Sequence, residues 1–267
     1  MAFQKVMEAI LKDLAGVQVY LDDVIVCGAD SREHEERLTA VLARLEQHKV
    51  TLNLEKCNLR QTSVNFLGFT VSAGGVSVNP ERVAALKEMR EPRSVQELQS
   101  VLGLLGFYAR FVHAYATLVE PLRKMLRKGA PPFKWTPELQ KVLDEVRKKI
   151  LVSPVLAVYD LSLPTRVATD ASDVGLGGVL SQLHPEGERV VCFASSSLNP
   201  AQRRYSVTER EALAAVWAVE KWRKYLWGQE FCLRVDHAAL KTLLQSTGVG
   251  RAGMRIARLS NGFFFHC

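Results

Sequence analysis

Hydrophobic positions alternate with a period of two in some stretches of this chain and recur with a helical period in others. Alternation predicts strands, because successive side chains of a strand point to opposite faces. The predicted strands cover residues 17–26 (as a hairpin), 64–71, 76–78, 166–170, 189–194 and 231–236. Helical spacing predicts helices that begin near Asp30 or Ser31, near Ser94, after Thr136 and near Val207, the last running to about Leu226.

Residues typical of helix N-termini support the prediction of these helices. Ser94 and Glu97 have the spacing of a capping box, in which each side chain bonds the other residue's backbone N–H. Thr136 is followed by Pro137 at the first helical position, where a missing N–H costs nothing. An apolar stripe then predicts the buried face of that helix, with members Leu139, Val142, Leu143, Val146 and Ile150.

Two adjacent carboxylates, Asp22 and Asp23, lie at the tip of the first predicted hairpin. Neighbouring carboxylates repel each other, and a cation beside them lets both ionise readily. Their hard oxygen ligands favour magnesium or manganese, which in turn can bind phosphate oxygens. A solvated acidic turn is the alternative. The β-branched runs on both sides favour the metal site.

A second set of carboxylates is spread over the last third of the chain. Asp170 and Asp236 each end a predicted strand, so they can meet at one sheet edge if those strands are neighbours. Glu211 lies early in the intervening helix, 41 residues after Asp170 and 25 before Asp236. Three carboxylates around two magnesium ions would allow one metal to activate water and the other to stabilise a leaving oxygen.

Glu211 has a structural alternative to the metal site. Thr208 and Glu211 have capping-box spacing, and so do Ser206 and Glu209. If Ser206 is the cap, Glu209 completes the box and Glu211 is available for metal. We prefer this assignment because small residues share the helix face of Glu211 and allow close packing on a sheet, namely Ala214, Ala215 and Ala218.

Glycines follow the predicted strand that holds Asp170, at positions Gly175, Gly177 and Gly178. One interpretation is that they relieve a twisted hairpin, the more common use of glycine in strands. The other is that they let an A-form nucleic-acid backbone approach closely enough to expose its 2′-hydroxyls to recognition. The sequence leaves both interpretations open.

The formal net charge is +7, and its excess lies in the middle of the chain. Residues 87–149 hold 13 Lys or Arg against 7 Asp or Glu. Such a stretch attracts phosphate backbones, with an ordinary solvated helix face as the alternative. The five cysteines are scattered and include no Cys-x-x-Cys pair, which argues against a zinc site or a disulfide scaffold. Without a signal peptide or an apolar run long enough for a membrane, the expected location is intracellular, in cytoplasm or nucleus.

The motifs around both acidic centres resemble those of gypsy-class LTR retrotransposon Pol polyproteins, which combine a reverse transcriptase with a ribonuclease H. The resemblance covers nearly all 267 residues apart from 262–267. Its motifs occur in the family's order: Phe3-Gln4, Tyr20-Leu21-Asp22-Asp23, Asn53-Leu54-Glu55-Lys56-Cys57, Phe66-Leu67-Gly68-Phe69, Thr169-Asp170-Ala171-Ser172, Tyr205 to Ala212 and Val235-Asp236-His237.

The resemblance implies an α+β region followed by an α/β region. Residues 1–79 would be the C-terminal part of a polymerase palm, and residues 80–130 the helices of a thumb or connection. Residues 131–267 would be a ribonuclease H-like mixed sheet with helices, incomplete at its C-terminal end. The resemblance also implies that both ends of the chain are truncated. A third polymerase carboxylate would lie upstream, and a fourth ribonuclease H carboxylate would lie beyond Asp236.

The implied function is RNA-directed DNA synthesis coupled to cleavage of RNA in RNA–DNA hybrids, with Mg²⁺ or Mn²⁺ as cofactor. The implied catalytic and metal-binding residues are Asp22, Asp23, Asp170, Glu211 and Asp236. The expected partners are an RNA–DNA hybrid and a template–primer duplex, contacted by Phe66, Leu67, Gly68, Arg123, Lys124, Arg127 and Lys128. The alternative is a catalytically inactive, nucleic-acid-binding remnant, and the missing carboxylates lead us to expect little activity from this chain alone. The oligomeric state cannot be read from the sequence.

Overall fold

The computed structural model of this protein describes residues 2–235 and 264–266, in two compact units that divide between Ala73 and Gly74. The first unit contains α1 (Ala2–Leu11), β1 (Val17–Tyr20), β2 (Asp23–Val26), α2 (Ser31–Gln47), β3 (Ser63–Phe66) and β4 (Phe69–Ser72). Asp30 caps α2, where its side chain accepts a hydrogen bond from the N–H of Glu33. The first unit's core joins α1, α2 and the β1–β2 hairpin around Met7, Ile10, Leu11, Val41 and Leu45.

The predicted single strand over residues 64–71 is wrong, because a tight turn divides it into β3 and β4. Phe66 pairs with Phe69, and the two residues between them, Leu67 and Gly68, have φ of 50° and 82°. Two consecutive positive φ values are the signature of the type I′ turn that joins twisted antiparallel strands. The turn could not be predicted from the sequence because leucine, here at position 67, rarely occupies the left-handed region.

The second unit begins with helices. After β5 (Gly75–Val78) come α3 (Pro80–Lys87), α4 (Val95–Phe107), α5 (Tyr115–Leu118), α6 (Glu120–Lys124) and α7 (Pro137–Leu151). Ser94 caps α4 as predicted, but Glu97 accepts the backbone N–H of Arg93 rather than that of Ser94, so the predicted box is only half formed. Thr136 caps α7 as predicted. The stripe of α7 is buried at Leu143, Val146 and Ile150.

A mixed sheet forms the rest of the second unit. Its elements are β6 (Thr165–Ala171), β7 (Gly175–His184), β8 (Gly187–Ser197), α8 (Val207–Lys221), α9 (Arg223–Leu226), β9 (Glu230–Val235) and β10 (Phe264–His266). The strand order is β10-β9-β6-β7-β8, with β6 parallel to β9 and antiparallel to β7. α8 packs on this sheet through a core that includes Val167, Leu180, Ala215, Ala218 and Leu233. The predicted α+β and α/β fold is confirmed.

The prediction of one continuous helix from Val207 to Leu226 is wrong, because the segment forms two helices. α8 ends at Lys221, and Trp222 with φ of −102° separates it from the short α9. Trp222 is 3% exposed and belongs to the sheet core, so the break between α8 and α9 falls at a buried side chain. The second unit holds both the region predicted as thumb and the region predicted as ribonuclease H, and their separation as two domains stays a prediction. No helix among residues 2–235 is long and apolar enough to cross a membrane.

Candidate active sites and nucleic-acid surface

The predicted hairpin at the first acidic centre is confirmed. β1 and β2 pair antiparallel from Val17 and Val26 to Tyr20 and Asp23, which leaves Leu21 and Asp22 as the connecting residues. The side chains of Asp22 and Asp23 are both exposed. The carboxylates are therefore presented to solvent at the tip of the hairpin, where a cation and its phosphate ligand have access.

Gln4 of α1 holds the turn of this hairpin in place. Leu21 has φ of 52°, a left-handed conformation that is uncommon for leucine and costs free energy. The Gln4 side chain accepts the N–H of Leu21 through Oε1 and donates from Nε2 to the carbonyl of Val19 at 3.0 Å. The same Nε2 donates to Glu8 at 2.7 Å. Sequence reasoning assigned Gln4 no such role, and only its place in the Phe3-Gln4 motif pointed to it.

The second acidic centre brings Asp170 and Glu211 to the same end of the sheet. Asp170 lies in β6, opposite Gly177 of β7, and its side chain is exposed. Glu211 of α8 is 6% exposed, and its Oε1 accepts the backbone N–H of Ala171 at 3.1 Å. A carboxylate of the helix is thus tied to the residue that follows the strand aspartate.

Asp236 lies outside the described residues, so its predicted place in this centre is untested. Val235, which precedes it in the chain, is the last described residue of β9 and pairs with Thr169 of β6. Thr169 in turn precedes Asp170. The shared site requires these two strands to be neighbours, and β6 and β9 do pair side by side.

The structure decides between the two capping boxes at the start of α8. The Ser206 Oγ accepts the N–H of Glu209 at 3.3 Å, and the Glu209 carboxylate accepts the N–H of Ser206 at 2.9 Å. Glu211 therefore plays no part in the cap, as preferred from the sequence. Its neighbours Ala214 and Ala215 are fully buried, as the predicted close packing requires.

A short loop follows β6, the strand that carries Asp170. The Ser172 Oγ accepts the backbone N–H of Gly175 at 3.0 Å, and it lies 3.1 Å from the Thr117 Oγ1 of α5. Asp173 of the same loop forms an ion pair with Arg210 of α8. α5 and α8 therefore both hold the loop that follows the strand aspartate. The sequence carried no signal for the Thr117 contact.

The glycines of β7 have different surroundings. A Cβ on Gly178 would lie 2.9 Å from the Trp222 ring and 3.5 Å from the Ala218 Cβ, so Gly178 is required by the packing of α8 on the sheet. A Cβ on Gly175 would lie 2.8 Å from the Thr117 Oγ1. Gly177 has ordinary space, with the Asp170 carbonyl at 3.7 Å. Packing explains Gly175 and Gly178, whereas Gly177 is buried but has space for a Cβ, and its contact with a nucleic-acid backbone stays a prediction.

Two of the four basic residues predicted to bind nucleic acid have partners within the protein. Arg123 donates to the Ser197 Oγ at 2.8 Å, and Arg127 forms an ion pair with the buried Glu120. Lys124 and Lys128 are exposed, as a phosphate contact requires. A buried carboxylate needs a cationic partner, and Arg127, just after α6, supplies one to Glu120 while its own side chain stays 48% exposed.

The remaining predicted contacts lie at the β3–β4 turn. Leu67 is 39% exposed at the tip, between Phe66 and Gly68. Because the turn is tight, these three residues present a compact apolar tip. Their predicted contact with a primer is untested by these features.

Metal binding by these residues agrees with their chemistry. No group of three His, Cys, Asp or Glu side chains that could hold an ion occurs within the described residues, a set that excludes Asp236. Asp170 and Glu211 supply carboxylate oxygens at one end of β6, and Asp22 and Asp23 supply them at the hairpin tip. Such oxygens are the ligands that magnesium and manganese prefer.

Two protein families match separate parts of the chain. Residues 1–71 match the family described as reverse transcriptase (RNA-dependent DNA polymerase). Residues 135–233 match the RNase H-like domain found in reverse transcriptase. Each match contains one of the acidic centres, apart from Asp236.

Curated relatives extend the similarity to most of the chain. The retrovirus-related Pol polyprotein from transposon 297 of Drosophila melanogaster is 34% identical over 244 residues, which cover 90% of this chain and 23% of the relative. The corresponding polyprotein from transposon opus is 33% identical over 238 residues, 85% of this chain and 24% of the relative. The transposon Tf2-3 polyprotein of Schizosaccharomyces pombe is 30% identical over 227 residues, 84% of this chain and 17% of the relative. The chain thus spans less than a quarter of the length of each of these relatives.

Solved structures share the fold. A foamy viral protease–reverse transcriptase in complex with double-stranded DNA superposes with a TM-score of 0.82 at 23% identity, over 100% of this chain and 58% of the other. The foamy viral enzyme in complex with an RNA/DNA hybrid gives a TM-score of 0.80 at 23% identity, over 99% of this chain and 37% of the other.

Proposed function

This chain belongs to the family of retrotransposon Pol polyproteins in which a reverse transcriptase is joined to an RNase H-like domain, and we propose that it supplies catalytic carboxylates to both activities. The proposed reactions are RNA-directed DNA synthesis and hydrolysis of the RNA strand of RNA–DNA hybrids. The hydrogen bond from the Ala171 N–H to the buried Glu211 carboxylate carries the proposal, because it holds a helix carboxylate beside Asp170.

In the proposed ribonuclease H centre, Asp170, Glu211 and Asp236 hold divalent ions. Magnesium or manganese, when bound there, supplies an activated water and stabilises the leaving oxygen. The protein's part is to orient the ligands. The Ala171 N–H fixes one Glu211 oxygen, and the cap formed by Ser206 and Glu209 leaves Glu211 available for this role.

In the proposed polymerase centre, Asp22 and Asp23 at the tip of the β1–β2 hairpin would hold a divalent ion, which would stabilise charge on the phosphates of an incoming nucleotide. Gln4 holds the turn from α1 and thereby limits the positions that the two carboxylates can occupy. Orientation of this kind lowers the cost of bringing charged groups together in a reaction.

Thermal unfolding with and without millimolar manganese tests the ribonuclease H centre. Repelling carboxylates destabilise a fold, so an ion that binds them should raise the melting temperature of the second unit. We expect this gain to vanish in Asp170→Asn and to persist in Asp160→Asn, a control aspartate on the loop before β6 that hydrogen-bonds Ser162. An equal gain in wild type and Asp170→Asn would show that manganese binds elsewhere and would contradict the proposed centre.

Salt dependence of RNA–DNA hybrid binding tests the basic surface. Each phosphate neutralised by Lys or Arg releases condensed counterions, so the slope of log affinity against log salt reports the number of contacts. Replacing Lys124 and Lys128 with Gln should flatten this slope by about 1.8 for a duplex. The control replaces Lys141 and Lys148, two exposed lysines of α7, with an equal loss of charge. Equal slopes in both variants would refute the proposed contact.

The two tests together separate an enzyme from a binding remnant. Hybrid binding that depends on Lys124 and Lys128, without any manganese stabilisation through Asp170, would favour the non-catalytic alternative. Manganese stabilisation together with hydrolysis of the RNA strand, both lost in Asp170→Asn, would establish the enzyme.

A further inference from the structure

A groove of about 480 Å³ lies in the second unit. One wall is the segment between α3 and α4, with Arg90, Glu91, Pro92 and Arg93. The other wall is the segment before α7, with Phe133 and Trp135. None of these residues belongs to the sites described above.

Two hydrogen bonds tie the walls of the groove to α7. The Arg147 Nη2 of α7 donates to the Met89 carbonyl at 2.7 Å, which ties the first wall to α7. The Trp135 Nε1 donates to the Gln140 Oε1 at 2.9 Å, which fixes the indole against the first turns of the same helix. Both walls are therefore anchored on α7 by hydrogen bonds within the protein.

The aromatic wall offers a stacking surface. The rings of Phe133 and Trp135 have centroids 6.4 Å apart, and their planes differ by only 22°. Both residues are half-buried, so part of each stays accessible to solvent. Near-parallel, partly accessible rings are the surfaces on which unpaired bases stack.

The opposite wall offers positive charge. Arg90 and Arg93 are exposed, and in the described part of the chain neither lies within ion-pair distance of a carboxylate. By contrast, Arg127 and Arg203 are each paired with Glu120. Two unpaired arginines against the single Glu91 leave the lining net positive. Guanidinium groups in this state favour phosphate oxygens, which accept their N–H groups in bidentate geometry.

We propose that this groove binds single-stranded nucleic acid, with a base stacked on Trp135 and Phe133 and the neighbouring phosphates bound by Arg90 and Arg93. An aromatic platform beside unpaired basic groups is the arrangement that recognises single strands without sequence preference. The proposal goes beyond the proposed function, since it concerns neither the metal centres nor the lysines assigned to the duplex. An unpaired template strand is the kind of ligand that such a chain would encounter.

Fluorescence anisotropy of a labelled oligodeoxythymidylate of about ten nucleotides tests the arginines. Replacing Arg90 and Arg93 with Gln should weaken binding and flatten the salt slope by about 1.4, the value for two phosphates of a single strand. The control is again Lys141 and Lys148 replaced with Gln, which removes the same charge from the exposed face of α7. An equal change in both variants would overturn the proposal.

Variants of Trp135 test the stacking. We expect Trp135→Leu to weaken oligonucleotide binding about tenfold, the loss that corresponds to one stacked base. Trp135→Phe, which also loses the bond to Gln140, should retain binding to within about threefold because it keeps a ring. Bound oligonucleotide should quench tryptophan emission in the wild type, and that quenching should disappear in Trp135→Phe. Equal affinities of the Leu and Phe variants would exclude stacking.

Two more measurements separate single-strand binding from peptide binding and from duplex binding. A poly-glutamate peptide of equal charge should compete poorly with the oligonucleotide, and equal competition would indicate an acidic-peptide surface and overturn the proposal. Binding of a blunt RNA–DNA hybrid should change by less than about twofold in the Arg90 and Arg93 variant. That comparison separates failure of this site from failure of the duplex-binding lysines.

Discussion

Glu120, the first residue of α6, is a buried carboxylate on which two arginines converge. Its side chain is 4% exposed, and its Oε1 accepts hydrogen bonds from Arg203 at 2.9 Å and from Arg127 at 2.5 Å. Its Oε2 is buried and has no hydrogen-bond partner among the described residues. Arg203 also donates from Nε to the Leu198 carbonyl at the end of β8. Glu120 therefore joins α6 to the edge of the sheet, and we predict that Glu120→Gln destabilises the second unit strongly.

Three contributions set the size of this effect. Exchanging a charged acceptor for a neutral one weakens the bond from Arg203, which is 23% exposed, by about 1 kcal/mol. The bond from Arg127, which is 48% exposed, contributes about 0.5 kcal/mol because solvent screens it. The amide also places a buried N–H₂ where Oε2 stood, and an unmet donor costs about 1 to 2 kcal/mol. Together they lower the free energy of unfolding by about 3 kcal/mol.

Urea denaturation followed by tryptophan fluorescence measures this loss. All four tryptophans lie in the second unit, at Trp135, Trp217, Trp222 and Trp227, so the signal reports that unit alone. We expect the midpoint to fall by about 1 to 2 M urea. The matched control is Glu186→Gln, which removes an exposed carboxylate from its pair with Arg189 and should cost less than about 0.5 kcal/mol.

The loss of stability caused by Glu120→Gln should become smaller as pH falls. Burial by itself would raise the pKa of Glu120, but the hydrogen bonds and charges of Arg203 and Arg127 lower that pKa below its usual range. A carboxyl whose pKa is lower in the folded state adds stability above its unfolded pKa of about 4.3 and loses it as pH falls through the folded value. The difference between wild type and Glu120→Gln should therefore be full near pH 7 and shrink below about pH 4. A difference below about 0.5 kcal/mol at pH 7, or one that grows in acid, would refute this reasoning.

Other predictions concern the sheet, the helix cap and the hairpin. Gly178→Ala should destabilise the second unit by about 1 to 3 kcal/mol in the same urea assay, because its Cβ would clash with a ring, whereas Gly177→Ala should cost less than about 1 kcal/mol. Ser206→Ala should lower the free energy of unfolding by about 1 kcal/mol through loss of the cap, and a change below about 0.3 kcal/mol would contradict the capping box. Gln4→Ala should speed hydrogen exchange at the Leu21 amide, which loses its acceptor, and unchanged exchange would show that the turn holds itself.

The sequence alone determined the features that depend on neighbours along the chain. The β-branched runs beside Asp22 and Asp23 specified a hairpin, because strand propensity and a short connection act locally. Thr136 with Pro137, and Ser206 with Glu209, specified helix starts through hydrogen bonds that span only three residues. Local signals of this kind survive in the folded protein because no distant contact opposes them.

Sequence motifs also located the second acidic centre, but only in part. The order of the strands and the position of the helix placed Asp170 and Glu211 at one end of a mixed sheet, as the structure shows. The sequence allowed a preference for one of the two capping boxes at the start of α8 but could not decide between them, since both have the same spacing. The hydrogen bonds between Ser206 and Glu209 in the folded chain identify the box that forms.

Tertiary structure decided the features that depend on residues far apart in the chain. Arg127 was predicted from the sequence as a phosphate ligand, which stays a prediction, and the fold alone shows that it also pairs with the buried Glu120. Leu67 enters a turn that its own preference disfavours, because Phe66 and Phe69 must pair across it. Gln4 reaches Leu21 only when α1 packs beside the hairpin. Hydrogen bonds and ion pairs of this range are specified by packing, and packing is a property of the whole fold rather than of any local pattern.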